Sequence, residues 1–234
     1  MKIGFLSDAH GNYDGFMRGL EILSKLGAER IFFLGDAVGY INSVKVLKYL
    51  SQKSNNIQSI LGNHDLMLIS GGVPSSKDKM YQLNRIRKRI DSSSLHFLKS
   101  LPLEINQKVS CGNMHLVHGA PDDAVHGYVY PDPSLEKYNA VDSDYVFMGN
   151  THRPFVRQVA GKFFVNVGSC GLSRDIGYLG AVCILDVDQG IPKIYRYDMT
   201  DINKKIMSRY RLHPDVRQLF TRECDSYCGV KIDY

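Results

Sequence analysis

Seven side chains in this sequence have the chemistry to hold metal ions, and they recur just after apolar runs. "SDAHGN" carries Asp8 and His10, "GDAVGY" carries Asp36, "GNHD" carries Asn63, "LVHGA" carries His118, and "MGNTH" carries Asn150 and His152. Carboxylates, amides and neutral imidazoles form a mixed oxygen and nitrogen donor set suited to divalent cations. The lack of cysteine among them disfavours a structural zinc site. Taken singly, each group has a plainer reading. Asp8 and Asp36 could be helix N-caps after strands. His115, three residues before His118, falls on the opposite face of a strand and reads as a core or helix-facing residue. His126 reads as an exposed loop histidine, and His96 and His213 as structural.

These groups need elements that bring them together. "KIGFLS" (2–7), "RIFFLGD" (30–36) and "IQSILGNHD" (57–65) read as buried strands running into polar turns. "DGFMRGLEILSKLG" (14–27) places Phe16, Leu20, Leu23 and Leu26 at helical spacing and closes on Gly27. "INSVKVLKYLSQK" (41–53) reads as a second amphipathic helix. The order β-α-β-α-β signals a parallel sheet with right-handed crossovers. Asp8 and Asp36 are 28 residues apart, and Asp36 and Asn63 are 27 apart, the length of one such unit. Their polar groups therefore reach the C-terminal edge of one sheet, where α/β folds place ligands. Residues 66–101 read as helical, with a basic stretch over 81–90 and a break at Ser92–Ser94 before a short helix that Pro102 stops. Six short β-like runs follow between 113 and 198, and two short helices in the tail, one over 213–220.

A chain of 234 residues suits a single α/β domain over 1–234, and 44% hydrophobic with 23% charged residues allows a sizeable core. The net charge of +5 fits an anionic ligand but is too small to signal a nucleic-acid partner. The N-terminal apolar run stops at Ser7 and Asp8, so no secretory signal is expected. No window reaches the roughly 18 apolar residues of a membrane span. Five scattered cysteines, an odd number, argue against a disulfide framework and for a reducing, cytoplasmic setting.

In this order the five motifs resemble those of the calcineurin-like metallophosphoesterase superfamily. "NVGSCGLSRD" (166–175), together with "GDAVGY", resembles its small bacterial phosphodiesterase branch. The resemblance implies a four-layer αββα sandwich, two mixed β-sheets flanked by helices. It implies two divalent metal ions, the first on Asp8, His10, Asp36 and His152, the second on Asp36, Asn63, His118 and Asn150, with Asp36 as the bridge. Manganese is the expected metal, with Fe2+, Mg2+, Zn2+ and Ni2+ as alternatives. The implied activity is hydrolysis of a small anionic phosphoester or nucleotide by a phosphodiesterase or nucleotide hydrolase. A metal-bridging hydroxide would attack, and His64 would protonate the leaving oxygen. Arg174, Arg153 and Asn12 are candidates for gripping phosphate oxygens. The alternatives are a non-catalytic binding protein with a depleted second site, and a protein phosphatase. Where the family has a histidine this chain has Asn150, a poorer ligand than imidazole, so the second ion is expected to bind more weakly. The protein-phosphatase branch has an aspartate three residues after the bridging carboxylate to orient the catalytic histidine. Gly39 stands there in this chain, which counts against that branch and leaves Asp65 or another group to orient His64.

Overall fold

The computed structural model describes residues 1–52, 56–73 and 75–233. The N-terminal part alternates β1 (Lys2–Leu6), α1 (Tyr13–Lys25), β2 (Arg30–Phe33), α2 (Lys45–Leu50), β3 (Ile57–Ser59) and α3 (Asn63–Ser70). Helices α4 (Ser75–Tyr81), α5 (Leu83–Arg87) and α6 (Ser92–Ser100) lead to strands β4 (Glu104–Val109), β5 (Gly112–Val117) and β6 (Tyr145–Met148). Strands β7 (Phe155–Val159), β8 (Lys162–Asn166), β9 (Leu179–Asp186) and β10 (Ile191–Asp198) follow, then α7 (Thr200–Arg209), α8 (Pro214–Leu219) and β11 (Val230–Lys231).

Two mixed sheets result. One has the order β11-β10-β9-β1-β2-β3, the other β4-β5-β6-β8-β7. β1, β2 and β3 are parallel and β9 runs antiparallel to β1. Side-chain alternation decides the layers. Ile3 and Phe5 of β1 point between the sheets, where they meet Phe32, Leu34, Phe147 and Val165. The Phe5 and Phe147 rings stack there with centroids 3.9 Å apart. Leu6 and Phe33 point the other way, onto Phe16, Leu23 and Leu47 of the helices. On the outer face of the second sheet, Val146, Met148 and Phe164 are covered by segment 119–141, through Val129, Leu135 and Tyr138 and one 3-10 turn. Helices α7 and α8 close over Tyr40, Ile41 and Leu172 through Ile206, Val216 and Phe220.

Several local expectations are corrected. The helix expected over 41–53 is confined to α2, because tight turns at Ile41 and Ser43 precede it, and Lys53 lies outside the described residues. The helix expected over 81–90 is divided at Gln82, whose φ of 58° separates α4 from α5. In that position Gln82 Nε2 donates to Tyr40 O at 2.6 Å. Ser92–Ser94 open α6 instead of breaking a helix, since Asp91 Oδ1 accepts from the Ser94 N–H at 2.8 Å. The polar turn expected after the third strand is, at Asn63 to Asp65, the first turn of α3. β4, "EINQKV", has no apolar run to announce it and forms as a largely exposed edge paired to β5. All five cysteines are free. No helix among the described residues is long and apolar enough to cross a membrane.

Candidate metal centre

The strand ends turn sharply into the centre. Asp8, His10, Asp36, Asn150 and His152 all adopt left-handed backbone conformations, with φ between 48° and 62°. Such a conformation costs a non-glycine residue roughly 1–2 kcal/mol. Its concentration at these positions marks a site that the surroundings over-determine. Those surroundings are visible. Asp65 accepts from the N–H groups of Asp36, Ala37 and Gly62 at 2.8, 3.1 and 3.2 Å. Ser169 Oγ donates to Asp8 O at 2.7 Å and accepts from the Leu172 N–H at 2.7 Å. Asn166 Nδ2 donates to Gly149 O at 2.6 Å. Sequence reasoning did not single out Ser169 and Asn166; the polar run "NVGSCG" directly after an apolar strand was the available signal.

The side chains converge. His10 Nε2 lies 3.6 Å from both Asp8 Oδ1 and Asp36 Oδ2, and His152 Nε2 lies 3.2 Å from Asp8 Oδ1. His118 Nε2 lies 3.5 Å from Asp36 Oδ2 and 3.0 Å from Asn63 Oδ1. The Nδ1 atoms of His10, His118 and His152 face the carbonyls of Val38, Leu34 and Leu172 at 3.1, 2.7 and 2.5 Å. A carbonyl only accepts, so each Nδ1 carries a hydrogen, and in the neutral ring each Nε2 turns a lone pair inward.

This arrangement fits cations. His10 Nε2 and His152 Nε2 are 3.0 Å apart, both acceptors in that tautomer, and Asp8 Oδ1 is buried without a hydrogen-bond donor among the described residues. Buried acceptors that face one another are satisfied by a metal ion. The electrostatics agree. Burial opposes the charge on Asp8, but His152 and His10 outweigh it and hold the carboxyl well below its usual range. Asp36 is likewise held low, with His118 and His64 outweighing burial. Burial pushes His64 down to about 3 and His152 down to about 4. At His118 burial acts in the same direction, yet the Asp36 charge outweighs it and raises the imidazole to about 10, so without a cation this ring holds a proton on Nε2 that a bound metal would displace.

Comparison with known proteins supplies the family. The calcineurin-like phosphoesterase superfamily domain matches residues 1–190. The chain belongs to this superfamily. It is 28% identical over 229 residues to an uncharacterised protein of Methanocaldococcus jannaschii, covering 88% of this chain and 91% of the relative. It is 24% identical over 184 residues to the phosphodiesterase YfcE of Escherichia coli, covering 74% of this chain and 82% of that protein. Its fold is similar to that of a metallophosphoesterase from Sphaerobacter thermophilus, with a TM-score of 0.76, 23% identity, and 94% and 98% of the two chains covered. As a calcineurin-like phosphoesterase the chain is a phosphoric ester hydrolase, of a family that works with two metal ions.

Around the centre of this phosphoesterase, His64 is held by rings. It packs against Tyr81, Tyr40 and His10 with centroid distances of 4.4, 4.8 and 4.9 Å. Asp65 does not orient it, because its oxygens serve the turn amides. A Cβ on Gly39 would collide with His64 Nδ1, which is buried and has no partner among the described residues, and a Cβ on Gly62 would collide with Asp36 Oδ1. Arg174 is brought to the centre. Its N–H donates to His152 O, its Nη2 donates to Tyr40 Oη at 2.8 Å, and its Nε is buried without a partner among the described residues. Arg153 instead lines an adjoining cleft with Asp132, Phe155 and Tyr227. Asn12, expected to contact phosphate, is buried and anchors the turn. Its Oδ1 caps α1 at the Gly15 N–H, 3.0 Å away, and its Nδ2 donates to Gly171 O at 2.9 Å. Asn150 donates its N–H to Asp8 Oδ2 at 3.1 Å and its Nδ2 to Gly127 O at 2.7 Å, which leaves only the amide oxygen for a cation. His115 pairs with Glu104 at 3.0 Å, and His126 is exposed.

Proposed function

We propose that this phosphoesterase hydrolyses a small phosphodiester or nucleotide ester. Asp8, His10, Asp36 and His152 would hold one divalent ion, and Asp36, Asn63, His118 and Asn150 a second. The observation that carries this reading is the set of three buried imidazoles, each fixed by a backbone carbonyl with Nε2 aimed at Asp8 and Asp36. When bound, the ions supply Lewis acidity, neutralising phosphoryl charge and making water a nucleophile near neutral pH. The oxygen-rich second set favours Mn2+ or Mg2+. Arg174 offers its unpaired Nε to a phosphate oxygen, with Tyr40 steadying the other end of the guanidinium. His64, held between Tyr40 and Tyr81, would deliver the proton to the leaving oxygen from its imidazolium form, the negative charge of the bound phosphoester offsetting the burial that disfavours that form.

Hydrolysis of chromogenic diesters with Mn2+ tests this. His64→Ala should lower kcat by roughly 10²–10⁴-fold for an alkoxide leaving group and much less for nitrophenolate, which needs no proton. An equal loss on both esters would remove His64 from the acid role.

The tether of Asn150 to Gly127 favours a second reading, in which the second ion binds weakly and the protein is a poor catalyst or a binding module. Calorimetric titration with Mn2+ should show two unequal sites. Asn150→His should tighten the weaker one by roughly ten-fold or more, the scale on which changes around a ligand shell move metal affinity. Two equally tight sites in the unaltered protein would contradict it. No turnover of any phosphomonoester or phosphodiester at saturating metal would leave the binding module standing.

A further inference from the structure

The loop that Asn150 tethers carries two tyrosines outward. Tyr128 and Tyr130 follow Gly127, and their side chains are 53% and 41% exposed. Val129 between them is buried, so alternation along the extended chain puts both rings on one side. The rings are parallel to within 10°, with centroids 6.2 Å apart. The loop beneath them is firmly built. Gly119 N–H donates to Ala124 O at 2.7 Å, Gly127 N–H to Asp123 O at 3.1 Å, and Arg157 Nη1 to Pro131 O at 2.9 Å. A preformed aromatic wall costs little ordering when a ligand binds.

The wall belongs to the mouth of the metal centre. Tyr128 directly follows Gly127, whose carbonyl accepts from Asn150 Nδ2 at 2.7 Å, so this end of the wall abuts the ligand set. At the far end of the wall, where it borders the adjoining cleft, Arg153 lies 6.0 Å from the Tyr130 ring and adds positive charge. Flat π-faces beside a cation, next to a phosphate position, match a planar heterocycle that carries a phosphate.

The geometry points to a nucleobase subsite at Tyr128 and Tyr130, which makes nucleoside phosphoesters the substrate class. This rests on the hydrolase reading above, which places the scissile phosphate between the metal ligands and Arg174. Tyr128 is the specificity-determining residue, and Tyr130 with Arg153 extends the stacking surface.

Two diesters with one leaving group test it: thymidine 5'-(p-nitrophenyl phosphate) and methyl p-nitrophenyl phosphate, both with Mn2+. The unaltered enzyme should favour the nucleoside ester by roughly ten-fold or more in kcat/KM, mainly through KM, which is the scale of one base–aromatic stack. Tyr128→Ala should erase that preference, whereas Tyr128→Phe, which keeps the ring, should retain it. A preference ratio near one, or a phenylalanine variant as unselective as the alanine one, overturns the subsite. Turnover of neither ester overturns the hydrolase reading instead. The subsite is then decided by calorimetry of adenosine monophosphate against inorganic phosphate on the metal-free protein. There Tyr128→Ala should weaken the nucleotide relative to phosphate by roughly ten-fold, and an unchanged ratio overturns the subsite.

Discussion

Asp36→Asn should lower phosphodiester turnover by roughly 10³-fold while leaving the fold intact. Asp36 stands between the two halves of the ligand set, with Oδ2 3.6 Å from His10 Nε2 and 3.5 Å from His118 Nε2. Its other oxygen accepts the His64 N–H at 2.8 Å and so ties the start of α3 to the end of β2. The amide keeps that acceptor but removes the negative charge that both metal positions share. Losing several kcal/mol of charge stabilisation, at about 1.4 kcal/mol per factor of ten, gives the stated fall. Far-UV circular dichroism should be unchanged, and metal retained after dialysis should fall at both positions. Turnover equal to that of the unaltered protein would show that Asp36 is not the shared ligand.

Arg196→Leu should cost about 3–5 kcal/mol of stability and lower the Tm by roughly 6–20 °C for a chain of this size. Arg196 sits in β10, beyond the residues that the family domain matches, and is fully buried. Its fork grips Asp175 at 2.6 and 2.9 Å. The remaining donors reach the carbonyls of Gly180, Cys228 and Leu179 at 3.2, 3.2 and 3.1 Å. Leucine would strand a buried carboxylate and remove a donor from three carbonyls, of which Leu179 O keeps the Ser173 hydroxyl. Most of the loss comes from the stranded charge, so adding Asp175→Asn should restore part of the Tm, and Arg196→Lys, which cannot fork, should still be destabilised. Asp175 adjoins Arg174, so the damage should also appear as a raised KM for phosphodiesters. A scanning-calorimetry Tm that does not move would refute the strut.

The sequence is most legible where one property repeats over a few residues. "KIGFLS" and "RIFFLGD" are apolar until their ends, so both the strands and the donors at their tips can be read directly. The near-equal steps of 28 and 27 residues carry the donors to one edge, because each βα unit returns the chain to the same side of a parallel sheet. Elements without such a pattern escape. β4 alternates polar residues at an exposed edge, and α4 and α5 share a basic stretch that only the left-handed Gln82 divides.

The sequence by itself determined the donor types, their order and the sheet edge they reach. The tertiary structure decided what each donor does there. The carbonyls that set the imidazole tautomers lie 28, 84 and 20 residues from His10, His118 and His152. Asn12 caps α1 locally, but its Nδ2 donates to Gly171 O, 159 residues away. His64 is held by Tyr40 and Tyr81 instead of by its neighbour Asp65, and Asn150 reaches across to Gly127. Periodicity acts through the backbone and reports burial within an element. A buried polar atom takes whichever partner the packing of two sheets and their loops brings within about 3 Å, and no local pattern encodes that choice.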